Sequence, residues 1–154
     1  MLSPKEVRIF KRLVKKLKAH NGELPEETFN ALNKVLAFPA CEMAVADKQK
    51  RLLLTWRKDK FWKGWHFPGS VLRNKEEFAE ALQRTAQKEL GRGLKSFKFL
   101  FPMNYPKGAR GHSVTFVFLC RLNGKPKNGK FFKIMPKSII PEHRQLWKRL
   151  KNVL

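Results

Sequence analysis

Residues 68–92 read PGSVLRNKEEFAEALQRTAQKELGR. Pro68-Gly69 marks a turn, and the run that follows predicts a helix over about residues 76–90, with acids in its first turn and Gly91 as its stop. On that helix Thr85, Lys88 and Glu89 fall on one face. Working outward, residues 58–69 read as a loop dense in lysine and aromatics. Upstream of it, 41–45 and 51–57 read as strands joined by the polar turn 47–50 into a hairpin, with Cys41, Met43 and Val45 on one face. Downstream, 97–101 and 114–121 read as strands, separated by a loop over 102–111 that holds Tyr105, Lys107 and Arg110; 130–134 is a further short strand. Helices close both ends. Ser3-Pro4-Lys5-Glu6 opens the first, with Val7, Phe10, Leu13, Val14 and Leu17 as its apolar side and Asn21-Gly22 as its stop. Leu24-Pro25-Glu26-Glu27 opens the second, which carries Phe29, Leu32 and Leu36 and ends at Pro39; Pro141 opens the last, with Leu146, Trp147 and Leu150. Strands on both sides of a central helix predict a mixed α/β sandwich.

The chain has 154 residues, 42% of them hydrophobic, enough for the packed core of one domain. No apolar run reaches the length of a membrane span, and the first twenty residues carry no signal-peptide pattern. Cys41 and Cys120, each in an apolar stretch, read as buried reduced thiols. A soluble cytoplasmic protein with no membrane partner is the expectation. Charge is the unusual quantity: 34 Lys and Arg against 12 Asp and Glu give +22. Such self-repulsion belongs either to a basic but solvated surface or to one that meets a phosphate-rich partner, a nucleotide, a nucleic acid or the ribosome. WRKDKFWKGWHF, residues 56–67, interleaves rings with cations, a composition suited to single-stranded nucleic acid. Within it Trp56 and Phe67 are expected in the core, and Trp62 and Trp65 are candidates to stack on a base or sugar.

The stretch 68–92 resembles a Nudix box, the loop-helix-loop of Nudix hydrolases. Ser70 takes the first Gly position of that pattern, Glu76 the first Glu, and Arg84 and Gly91 match as structural positions. Thr85 and Lys88 replace two Glu, Glu89 keeps the third, and Arg92 stands where an aliphatic residue is usual. Leu52-Leu53-Leu54-Thr55-Trp56-Arg57 and Gly64-Trp65-His66-Phe67 are similar to the family's lead-in. The resemblance implies one Nudix-like α/β/α sandwich with a mixed sheet over residues 1–154, in which 1–38 is an N-terminal helical extension and 68–92 the box. Three carboxylates on the helix face would hold several Mg²⁺ ions; here one Mg²⁺ is implied, on Glu89, a backbone carbonyl near Ser70 and substrate phosphates. Glu76 is either a further metal ligand or the ion-pair partner of Arg84.

The run RTAQKELG, residues 84–91, is similar to the GDP-mannose mannosyl hydrolase branch, which lacks the same two Glu. That likeness implies a nucleotide-sugar hydrolase releasing GDP and free sugar, with Arg57 on the diphosphate, and Tyr105 and Arg110 in a loop that shapes the substrate pocket. The branch's base is a His beside a Gln, and Asn128-Gly129 stands at that place here. His112 is the substitute candidate. Val71 stands where the branch has an Arg. The alternative is a Nudix fold that has lost catalysis and binds RNA or another polyanion, which accounts for the charge and the thinned box together. Ordinary phosphoanhydride hydrolysis of a nucleotide or capped RNA end is a third reading. A homodimer is a further expectation.

Overall fold

The computed structural model describes residues 2–17 and 24–154. His20 and the Asn21-Gly22 stop lie outside the described residues.

β1 (Phe38–Ala44) lies at the centre of a four-stranded sheet, between β4 (Gly69–Val71) and β6 (Gly111–Leu122), with β5 (Leu94–Gly108) outermost. β1 and β6 run parallel while the β1–β4 and β5–β6 pairs are antiparallel, so the sheet is mixed. Strand alternation divides its residues between two cores. Cys41, Met43 and Val45 share one cluster with Leu82, Ala86 and Leu90 of the central helix. Ala44 and Val117 point the other way, into a cluster with Leu146, Trp147 and Leu150 of α4 (Pro141–Val153). A helix on each face makes the α/β/α sandwich. Leu82, Leu90, Leu146 and Leu150 are fully buried, each contributing roughly 1.5–3 kcal/mol.

A second sheet is ordered β3-β2-β7, from β2 (Leu52–Lys58), β3 (Lys63–His66) and β7 (Lys130–Phe132). The expected 41–57 hairpin is thereby corrected. β1 and β2 enter different sheets and meet only near the turn, where Leu53 N–H donates to the Val45 carbonyl at 2.9 Å and Ala46 bridges Leu52. The turn itself is as expected: Asp47 Oδ1 accepts from the amides of Gln49 and Arg51. The 58–69 loop also contains a strand, β3, which zips against β2 with Thr55 opposite His66 and Trp56 opposite Trp65. The 102–111 loop is mostly strand too. β5 runs through Pro102 and Pro106, tolerated because an edge strand has only one partner to satisfy.

The central helix begins two residues later than expected, as α3 (Phe78–Thr85), capped by Glu77 and Glu80. It then widens into a π turn over Ala86–Leu90, a distortion frequent at functional sites. Gly91 ends it at φ 62°, the left-handed position where glycine has no steric cost. At the N-terminus, α1 (Pro4–Lys16) has its capping box, with Ser3 N–H donating to Glu6 at 2.7 Å. Its expected apolar side meets no core, and Phe10, Leu13 and Val14 are about half exposed. α2 (Glu26–Leu32) stops before Leu36, and Pro39 belongs to β1. Among the described residues no helix is long and apolar enough to cross a membrane.

Candidate active site

A cleft of about 1300 Å³ opens where the box meets β1, α2 and the β5–β6 turn. Its box wall is Glu89, carried by the π turn. Glu89 Oε1 accepts from the Gly69 amide at 3.1 Å and Oε2 from the Thr55 hydroxyl at 2.9 Å. Burial pushes this carboxyl above the ordinary value, against the pull of those two donors. His66 Nε2 lies 3.0 Å from Thr55 Oγ1 and 3.4 Å from Glu89 Oε2. The Thr55 proton is committed to Glu89, so the imidazole donates to the hydroxyl. Burial, then His143 and Arg57, lower the His66 pKa to about 3, so the ring is neutral.

Gly69 brings a second carboxylate close. A side chain there would meet Glu42 Cγ at 2.8 Å, so Glu42 and Glu89 lie on either side of one glycine backbone. Glu42 Oε1 accepts from His143 Nε2 at 2.7 Å, and His143 Nδ1 accepts from the Phe67 amide at 2.9 Å, which assigns the His143 proton to Nε2. Glu42 is 8% exposed, with its Oε2 buried and its carboxylate interacting with the Tyr105 hydroxyl. Tyr105 packs beside His143, and burial followed by the Glu42 charge raises its hydroxyl pKa.

Cations supply the opposite wall. Arg57 stacks on Trp62 at 4.3 Å, and Arg110 on Phe29 at 4.6 Å. Asn33 Nδ2 donates to the Arg110 carbonyl, tying the N-terminal extension to the β5–β6 turn. Burial, and next the charge of Arg57, lower the Arg110 pKa, while Glu26 and Asp59 act the other way. Asp59, paired with Arg57 Nε at 2.5 Å, offsets part of the repulsion between the two guanidiniums, and an anionic ligand would offset more.

The structure places Glu89, Ser70, Arg84, Arg57, Trp62, Tyr105 and Arg110 of the expected residues around one cleft, and not Glu76, Trp65, Gly91 or His112. Glu76 gives both oxygens to Arg84, at 2.6 and 2.8 Å, and accepts the Arg73 amide, so it braces the box loop rather than serving a metal. Trp65 packs on Trp56 at 5.3 Å and Phe132 at 4.9 Å, outside the cleft; Trp62 is the tryptophan that lines it. Trp56, expected in the core, is 48% exposed, whereas Phe67 is buried. His112 pairs with Asn104 at 2.7 Å away from the cleft, which removes it as the base candidate. Asn128 does lie beside the box, its Nδ2 donating to the Glu89 carbonyl at 3.2 Å. The residues missed from sequence are Thr55, His66, Glu42 and His143. Reading 63–66 as strand would have set His66 and Trp65 on opposite faces.

The NUDIX domain model matches residues 38–148, and the chain belongs to the Nudix family. No curated protein matches it. Its fold is similar to a MutT Nudix hydrolase from Burkholderia pseudomallei, at 22% identity and TM-score 0.66 over 77% of this chain and 99% of that one. A MutT protein from Methanosarcina mazei Go1 matches at 13% identity and TM-score 0.61, over 76% and 94% of the two chains. A bifunctional NMN adenylyltransferase/ADP-ribose pyrophosphatase from Francisella tularensis, complexed with AMP and a Mn ion, matches at 17% and 0.59, over 83% of this chain and 46% of that one.

Nudix hydrolases generally use divalent metals. The donors here do not fit a resident cluster of ions. Thr85 Oγ1 donates to the Ala81 carbonyl and accepts from Ser70, Lys88 is a cation, and Glu76 is held by Arg84. Among the described residues no three His, Cys, Asp or Glu side chains converge on one point.

Proposed function

We propose that this protein hydrolyses a nucleoside-diphosphate sugar at the sugar's anomeric carbon, releasing the nucleoside diphosphate and free sugar, as in the GDP-mannose branch its box resembles. The observation that carries this reading is the pair Arg57 and Arg110, two cations lining the cleft that also holds Glu89, with Arg57 oriented by its ion pair to Asp59. They suit a diphosphate that stays intact and leaves as an anion. Attack at phosphorus leans on several metal ions, and the box no longer supplies their ligands. Glu89 would hold a Mg²⁺ brought by the diphosphate, and the ion would supply charge neutralisation to the leaving group.

The reaction then balances with this chain's own groups. Water forms the new bond to the anomeric carbon as the bond from that carbon to the diphosphate oxygen breaks. The electron pair leaves with the diphosphate, whose charge Arg57 and Arg110 meet. Glu42 takes the proton, since it lines the cleft and His143 holds one of its oxygens in place. Trp62 offers a ring to the base or sugar.

The test incubates the protein with Mg²⁺ and a panel of nucleotide sugars, ADP-ribose and nucleoside triphosphates, then separates the products. Nucleoside diphosphate plus free sugar is expected. Nucleoside monophosphate plus sugar phosphate would overturn attack at carbon, and no turnover at all would leave a Nudix fold without catalysis. Glu42→Gln keeps the His143 contact and is expected to lower kcat by about 10²–10⁴ with KM nearly unchanged; Arg57→Ala should raise KM.

A further inference from the structure

The hydrolase reading leaves one part of the surface unused. β2 and β3 present, on one face, the cross-strand pairs Trp56–Trp65 and Lys58–Lys63, because opposed residues of an antiparallel pair point the same way. Towards the start of β2 the same face turns into the core at Leu52 and Leu54, and Lys130 of β7, opposite Leu54, is exposed at its border. A hollow of about 500 Å³ lies beside this face, lined by Trp56, Trp65, Lys127, Asn128 and Gly129, with Thr55 and Glu89 as the wall it shares with the catalytic side. No carboxylate belongs to this face of the three strands; the one in the hollow is Glu89, held by Thr55 and Gly69.

Two of these features run against what folding alone favours. Trp56 is 48% exposed, held edge-on to Trp65 at 5.3 Å rather than buried. Lys58 and Lys63 are placed directly opposite each other, both exposed, and like charges so placed are destabilising. A ligand that stacks on a ring and puts phosphate between lysines reverses both costs. We propose that this face, flanked by Lys127 and Lys130, is a second binding surface, for single-stranded nucleic acid. It is independent of the reaction assigned to the cleft. The unpaired base stacks on Trp56, which Trp65 orients in advance, and the backbone phosphates run past Lys58 and Lys63. A duplex, its bases already stacked, meets only the lysines.

The test is fluorescence anisotropy with labelled 12-nucleotide oligo-U RNA and oligo-dT, against a 12-base-pair duplex, from 50 to 200 mM salt. Single strands are expected to bind more tightly than duplex. Trp56→Ala should weaken binding about 5- to 150-fold, while Trp56→Phe, which keeps a ring, should stay within a few-fold of the parent. Lys58→Gln with Lys63→Gln should lower the slope of log K against log salt by about 1.4. Thermal melts establish that each variant is folded, and nucleotide-sugar turnover by Trp56→Ala should match the parent. Absence of binding at 50 mM salt, tighter binding of duplex, or equal affinity of folded Trp56→Ala and parent would each overturn the proposal.

Discussion

Glu76 is the residue whose role the structure changes most. Its carboxylate is nearly buried and bidentate on Arg84, and hydrogen bonding from Arg84 lowers its pKa below the ordinary 4.5. Glu76→Gln leaves that guanidinium without its charge partner and should cost about 2–4 kcal/mol at pH 7 in urea denaturation. A lowered folded-state pKa means the stabilisation is complete above 4.5 and disappears as pH falls through the lowered value. Parent and variant should therefore converge in acid; a gap that persisted below that range would show that shape, not charge, holds the loop. Arg84, Glu89 and Gly91 were legible in the sequence because a helix fixes their spacing. Thr55, His66 and Glu42 were not, since each reaches the site from a strand whose register is set by pairing with distant residues. His112 failed as a candidate for the same reason: β6 carries it to Asn104 instead.

Among the elements, α1 separates local from global stability. Its cap is fully made, yet no side chain of the helix is buried. Ser3→Ala should reduce the helical circular dichroism signal, because the cap contributes on the order of 1 kcal/mol to the helix itself. The midpoint of global unfolding should barely move; a shift beyond 1 kcal/mol would mean that α1 is anchored to the core. At the other end of the box, Gly91 combines φ 62° with Lys127 at 2.9 Å from where a Cβ would stand. Gly91→Ala should lower stability by about 1 kcal/mol, read from the same denaturation curves. The helices and most strands were legible from period and caps. β3 was hidden by the lysine-aromatic composition of 58–69, and the second half of β5 by Pro102 and Pro106, which read as loop unless the strand is known to lie at an edge.

For the whole molecule, +22 on 154 residues is a standing repulsion that folding compresses. Burial keeps the two thiols out of this account, raising Cys41 to about 11 and Cys120 to about 12, so neither adds a negative charge near neutrality. Screening should help the compact state: the melting temperature is expected to rise between 50 and 500 mM NaCl, and a fall would mean that attractive ion pairs outweigh the repulsion.

The edges of the two sheets complete the picture. β3, β4 and β7 have four, three and three residues. The one long edge, β5, is interrupted by Pro102 and Pro106 and shifts register at three places. Proline withholds a backbone donor and a bulge twists the strand away, so among the described residues no edge offers a straight ladder to an incoming chain. Backbone and charge both work against self-association by strand addition, the route from an exposed sheet to a fibre, and a dimer of these sheets would form more readily through side chains.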